Sequence, residues 1–248
     1  MKHSISISCP HCNGSDLTKN GHSENGTQRW LCNLCRKSFQ LNYRYHARKP
    51  GVKEGIIEMT LNGSGVRDIG RVLKISTGTV TSELKKTPHV NPYAIDMIEQ
   101  EKLNELEVDL FYTAELDEFW SFVGSKKEQR WTWLAMDKKS GIILAWHNGK
   151  RTDKDFRILL SYLYPIPIAF YYSDSWGSYS KYLPKEIHYI GKDKTWKIER
   201  KNLNFRTHLK RLNRKTIGYS RNQEIHDHVI GMYIERYYFK SGIFTKSA

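Results

Sequence analysis

Apolar residues recur along this chain at three successive spacings. Up to residue 49 they are sparse and fall in short strand-like runs. One such run is Gln28-Arg29-Trp30-Leu31, beside turn formers at Gly21 and Asn25-Gly26. After Pro50-Gly51 the spacing becomes helical. Lys53 to Asn62 presents Ile56, Ile57 and Leu61; Val66 to Leu73 puts Val66, Ile69, Gly70 and Leu73 on one side. Ser76 then N-caps a third helix from Thr77 to Lys86, in which Val80 and Leu84 face inward. A small residue at Gly70 permits the close helix approach of a helix-turn-helix, with Thr77, Thr79, Thr81 and Ser82 left as groove-facing candidates on its recognition helix. The same apolar spacing would also serve a small dimerisation bundle.

From Phe111 strands and helices alternate. Thr113 to Val123, Arg130 to Met136 and Ile142 to His147 read as three strands joined by short turns, an antiparallel meander. Asp153 to Tyr164 reads as a helix. Ile166 to Tyr172 is an apolar run expected to form a buried parallel strand, and a helix follows from about Thr195 to Asn213. The fold class expected is α/β, a mixed sheet with flanking helices. Four segments follow: residues 1–49, a helix-turn-helix at 50–90, an acidic helical linker at 91–110 and a larger domain at 111–248.

Charge sharpens this division. The chain has 248 residues and a formal net charge of +14, which favours an acidic partner such as nucleic acid. Residues 1–50 carry eight Lys/Arg against two acids, and residues 196–248 carry twelve against four, whereas residues 91–111 carry one Lys against six acids. Basic ends around an acidic stretch read as two DNA-contacting surfaces joined by a non-binding segment. No run of 18 apolar residues occurs and the N-terminus lacks a signal-peptide core, so a cytoplasmic protein without a membrane partner is expected.

All four cysteines lie within the first 35 residues. Cys9-Pro-His-Cys12 and Cys32-Asn-Leu-Cys35 are two C-x-x-C knuckles separated by 19 residues, the spacing of a zinc ribbon. A four-cysteine shell leaves no open position, so the Zn²⁺ expected there is structural. Arg29, Arg36 and Lys37, interleaved with Trp30 and Phe39, suit a phosphate-binding surface.

In the larger domain three carboxylates stand out. Asp117 lies within the first strand, and Asp174 follows the parallel strand, where side chains reach the crevice in which ligands bind. The competing reading is that Asp174 only caps the next helix. Glu199 is the one acid among eight Lys/Arg in residues 196–215, beside an apolar stripe of Ile198, Phe205, Leu209 and Leu212. It either forms a helix salt bridge or faces the two aspartates, with Arg200, Arg206 and Lys210 gripping phosphates. Three such carboxylates suit Mg²⁺ (or Mn²⁺), a hard ion that shares substrate phosphate oxygens and drives in-line displacement at phosphorus.

At this point the sequence resembles the transposases of the insertion-sequence-one (IS-one) family. The likeness lies in Ser6-Ile-Ser-Cys-Pro-His-Cys12 with Arg29-Trp-Leu-Cys-Asn-Leu-Cys-Arg-Lys37, and in Ala114-Glu-Leu-Asp-Glu-Phe-Trp-Ser-Phe-Val-Gly124. It continues in Ser173-Asp-Ser-Trp176, in Ile198 to Leu212 and in Glu224 to Gly231. The resemblance implies a ribonuclease H-like catalytic domain of the DDE class, its acids falling on Asp117, Asp174 and Glu199, which are 57 and 25 residues apart. It further implies hydrolysis at the 3′ ends of an insertion sequence and joining of those ends to target DNA by two-metal-ion chemistry. Zinc ribbon and helix-turn-helix would bind the terminal inverted repeats, with assembly of a homo-oligomer on DNA. Arg200, Asn202, Asn204, Arg206 and His208 also match family positions, as do His226 and Asp227, the latter two with a structural role. The alternatives are a non-catalytic DNA-binding repressor and a structure-specific nuclease on the same fold.

Overall fold

The computed structural model describes residues 6–87, 112–191 and 194–239; the acidic segment expected at 91–110 lies outside them. The chain divides into two compact units, residues 1–60 with 64–86, and residues 61–63 with 87–248.

The first unit begins with a three-stranded antiparallel sheet of β1 (Leu17–His22), β2 (Gln28–Cys32) and β3 (Ser38–Gln40). The turn between β1 and β2 closes where the Gly26 N–H meets the Ser23 carbonyl, with Gly26 at φ 75°. The short third strand escaped sequence reading. It contributes Phe39, which packs with Cys9 and Cys32 against Ile7, Leu17 and Trp30. Helices α1 (Val52–Leu61), α2 (Val66–Leu73) and α3 (Thr77–Lys86) follow almost at the expected bounds. Gly70 is required where α2 meets the turn, because a Cβ there would lie 2.9 Å from the Ile75 carbonyl oxygen. The Ser76 hydroxyl caps α3 by accepting the Thr79 N–H at 3.1 Å.

The second unit is built on a five-stranded mixed sheet. Its strands are β4 (Tyr112–Val123), β5 (Ser125–Asp137), β6 (Ile143–Gly149), β7 (Ile168–Ser173) and β8 (His188–Ile190), in spatial order β6-β5-β4-β7-β8. The first three form the antiparallel meander, while β7 and β8 run parallel to β4. This is the mixed α/β, ribonuclease H-like sheet expected from the sequence. The helices are α4 (Asp153–Leu163), α5 (Gly177–Tyr182), α6 (Trp196–His208) and α7 (Gln223–Ile234).

Two expectations need correction. The helix expected to run to Asn213 stops at His208, because Leu209 leaves helical geometry (φ −101°, ψ 89°) and a 3₁₀ turn, Lys210–Leu212, follows. The apolar stripe survives this break: Ile198, Phe205, Leu209 and Leu212 are all fully buried. The strand expected to be fully buried is only half covered, and Phe170 in β7 is 40% exposed.

One face of β4 lies along α6 and α7 in a regular ladder. Glu115 accepts the Ile198 N–H at 2.9 Å, Asp117 meets Asn202, Phe119 packs on Phe205 at 5.5 Å, and Ser121 meets His226. His226 and Asp227 pin α7 to the sheet. Asp227 receives Arg130 through two hydrogen bonds, the Nε bond at 3.0 Å, and His226 bridges Ser121 and Ser220 at 2.9 and 2.8 Å. Burial, reinforced by Arg211 and Arg130, pushes His226 down to about 3. A depressed base contributes stability that is present above its unfolded pKa, near 6.5, and declines as pH falls toward the folded value. From pH 8 to pH 5, His226 should therefore remove about 2 kcal/mol of stability. Comparing the pH slopes of unfolding in wild type and His226→Gln checks this; identical slopes would contradict it.

Candidate functional site

The four-cysteine centre is assembled from two near-identical knuckles. In the first the Cys9 N–H meets the Gly14 carbonyl and the Asn13 N–H meets that of Cys9. In the second the Cys32 N–H meets Lys37 and the Arg36 N–H meets Cys32. Each knuckle is followed by a residue in left-handed geometry, Asn13 at φ 57° and Arg36 at φ 59°, which turns the chain back so that both thiols point inward. The sulfurs of Cys9, Cys12, Cys32 and Cys35 lie within 4.8 Å of one another, with Cys9–Cys35 at 3.6 Å and Cys12–Cys32 at 3.5 Å. A tetrahedron with Zn–S bonds near 2.3 Å has edges of about 3.8 Å, so the donor set fits a zinc ribbon.

Arg29, Arg36 and Lys37 are exposed around this centre. On the third helix Thr77 lines a shallow concavity with Gly78, Thr81, Ser82, Lys85 and Lys86. Thr79 is differently placed: its hydroxyl is shared between Ser76 at 2.8 Å and Tyr45, which turns it toward its own fold.

In the second unit the parallel β4–β7 ladder ends at the pair Glu115–Tyr172, and Asp117 and Asp174 each stand two residues beyond it, Asp174 just past the last residue of β7. The Trp176 N–H donates to Asp174 Oδ1 at 2.9 Å, so this carboxylate does brace the turn into α5. Its Oδ2 accepts no hydrogen bond from the described residues, so the brace leaves one oxygen free for other work. Glu199 is exposed in the first turn of α6 and accepts the Thr195 hydroxyl at 3.3 Å. Burial, followed by the charges of Glu118, Asp174 and Glu199, pushes the Asp117 carboxyl up to about 7. All three expected acids thus belong to one electrostatic neighbourhood. Among the described residues, though, only the cysteines bring three or more such ligands within 4.8 Å.

Arg206 lies on the same helix, 3.3 Å from the Trp120 carbonyl, and feels the Asp117 charge. Arg200 and Lys210 are exposed.

The structure adds residues that the sequence reading did not assign. Asn202, 7% exposed, donates through Nδ2 to Asp117 Oδ2 at 2.6 Å, while its own Oδ1 has no partner among the described residues. On the opposite face of β4, Glu118 is gripped by Arg151 at 2.6 and 2.7 Å and by the Tyr179 hydroxyl at 2.6 Å. Arg151 also stacks over Trp131 and Trp176, at 5.0 and 5.2 Å. The Asp174 turn is therefore held from both sides of Trp176. A helical spacing of three from Glu199 could have indicated Asn202; nothing local points to the Glu118 contacts.

A metal-binding ribbon and a helix-turn-helix ahead of an acid-bearing mixed sheet is the build of a DNA-mobilising enzyme. Comparison with known proteins makes this specific. Family models match three successive stretches: the InsA N-terminal domain at 3–36, the InsA C-terminal domain at 43–87 and the IS1 transposase at 110–240. The chain is 53% identical over 125 residues to the insertion element iso-IS1n protein InsB of Shigella dysenteriae, covering 50% of this chain and 95% of that protein. It is 40% identical over 126 residues to the insertion element IS1 4 protein InsB of Escherichia coli K12, covering 51% and 75%. The chain belongs to the IS1 transposase family and joins InsA-like and InsB-like parts in one polypeptide. Among the described residues no helix is long and apolar enough to cross a membrane.

Proposed function

We propose that this protein binds the terminal inverted repeats of an insertion sequence, hydrolyses the phosphodiester at each 3′ end and joins those ends to target DNA. The observation that carries the reading is the placing of Asp117 and Asp174 just beyond the end of the β4–β7 ladder, with Glu199 in the same field of charge. Clustered carboxylates, two of them half-buried, repel one another and call for a cation among them. Carboxylate oxygens are the donors that Mg²⁺ or Mn²⁺ prefers, and Asp117, Asp174 and Glu199 are the residues that would hold it. When bound, such ions supply Lewis acidity and lower the pKa of the attacking water or hydroxyl.

The chain's own groups do the rest. Asn202 fixes one oxygen of Asp117 and thereby aims the other, and the Trp176 N–H does the same for Asp174. Arg206 places a guanidinium beside the acids, where a phosphodiester would lie. Arg29, Arg36 and Lys37 on the ribbon and Thr77 on α3 are set to contact the repeats, with Arg200 and Lys210 contacting strands nearer the acids. Thr79 would act through the shape of α3 rather than by direct contact. The ribbon holds structural zinc, and the active form is at least a dimer on paired ends.

A strand-transfer assay with terminal DNA ending in a 3′-hydroxyl or a 3′-deoxy nucleotide tests the reading. Joined product from the first and none from the second is expected. Cutting without joining would indicate a nuclease, and binding alone a repressor. Asn202→Ala should slow cleavage by roughly 10- to 100-fold and raise the Mg²⁺ needed for half-maximal rate, as loss of an outer-shell partner does. An unchanged Mg²⁺ dependence would remove Asn202 from the site.

A further inference from the structure

Beyond Asp117 along β4 lies a concavity of about 500 Å³ lined by Arg206, Asn213, Arg214 and Lys215. Three of its four walls are cationic and none is acidic. Arg214 lies over the Trp120 ring at 4.7 Å, and Arg206 lies over Phe119 at 5.6 Å while donating to the Leu212 and Trp120 carbonyls at 3.4 and 3.3 Å. Both guanidinium groups are therefore held in place by rings or carbonyls. Neither forms an ion pair with a described carboxylate, and Arg206 feels the charge of Arg214.

Arg214 and Lys215 are exposed and Arg206 half-buried, and an anion among the three relieves the repulsion between them. A guanidinium stacked on an indole keeps its N–H edge free, and that edge matches two oxygens of a phosphate. Trp120 alternates to the face of β4 opposite Asp117, so the link to the acids runs through Arg206, which lies over Phe119 on the Asp117 face and feels the Asp117 charge.

We propose that Arg214, Lys215 and Asn213, with Arg206 as inner wall, form a pocket for one backbone phosphate of the DNA strand engaged at Asp117, Asp174 and Glu199. The inference rests on the transposase reading and adds a strand-positioning subsite to it. A duplex end enters with its phosphates fixed in space, so a pocket at a set distance from the acids selects which phosphodiester reaches them.

The test uses the full-length zinc-loaded protein and terminal DNA carrying one neutral methylphosphonate at successive positions, with binding read without Mg²⁺. At one phosphate, or two adjacent ones, the neutral linkage should weaken wild-type binding about five- to tenfold. In the Arg214→Gln, Lys215→Gln double variant the same linkage should cost nothing further, and the salt slope should fall by about one to two. Arg214→Lys, which keeps charge but loses the fork, should restore part of the sensitivity at the same phosphate. Equal methylphosphonate penalties in wild type and double variant at every position would overturn the pocket. Binding alone is read, so coupling that persists in a protein unable to join DNA would refute the transposase reading and leave the pocket standing.

Discussion

Asp117→Asn should abolish DNA cleavage and joining while terminal-repeat binding stays within about threefold of wild type. The side chain is isosteric and can still meet Asn202, and the strand is held there by the pairing of Asp117 with Leu134 of β5. What the substitution removes is one negative charge from the three-acid neighbourhood. Loss of a group that holds a catalytic cation costs several kcal/mol in the transition state, roughly a thousandfold or more in rate. The metal-free variant should also be more stable than wild type at pH 8, because a half-buried carboxylate raised to about 7 is ionised there at a cost. The sign follows from linkage: the raised acid contributes stability that is complete below its unfolded pKa and is lost as pH climbs through 7. Thermal unfolding across pH 5 to 8 with end binding measured in parallel checks both halves. Binding that fell in step with activity would mean that Asp117 is structural.

Removal of zinc has the second large effect. The core around the ribbon is small, comprising Cys9, Cys32 and Phe39 with Ile7, Leu17, Trp30 and Cys35. Apolar burial on that scale does not hold a three-stranded sheet together in water. Structural zinc contributes on the order of 10 kcal/mol to such modules, so its binding and their folding are one event. Cys32→Ser, or treatment with a strong chelator, should unfold the ribbon and lower affinity for the terminal repeat by roughly a thousandfold, toward the non-specific level. One zinc per chain by metal analysis, with loss of the β-sheet signal after chelation, is the expected result. A zinc-free protein that still discriminates its own repeat would contradict it.

The parts that sequence reveals are those whose signals are local. Doubled C-x-x-C knuckles fix the ribbon because a metal shell needs four thiols at reachable spacing. Gly70, Ser76 and the apolar positions of α1 to α3 specify a helix-turn-helix within a few turns of chain. Asp117, Asp174 and Glu199 stand out as acids against strand ends and a basic helix. Features set by tertiary contact stay hidden. Strand β8 is three residues long and exists because Tyr171 to Ser173 offers it an edge. The break at Leu209 lets the chain turn while keeping its stripe buried. Pattern alone could not say whether Asp174 only braces the next helix: its Oδ1 takes the Trp176 N–H, while its Oδ2 accepts no hydrogen bond from the described residues. Glu118, Arg151 and Tyr179 meet from three elements, and Arg214 is oriented by a ring 94 residues earlier in the chain.

The measurement that bears most directly on the account is Mg²⁺-dependent cleavage and joining of the element's own terminal DNA, with Glu199→Ala beside wild type. Joined product from wild type, none from the variant and equal end binding by both is the predicted result. Equal joining by the two proteins would mean that Glu199 is not the third acid. Binding without chemistry in either would contradict the catalytic reading of this sheet.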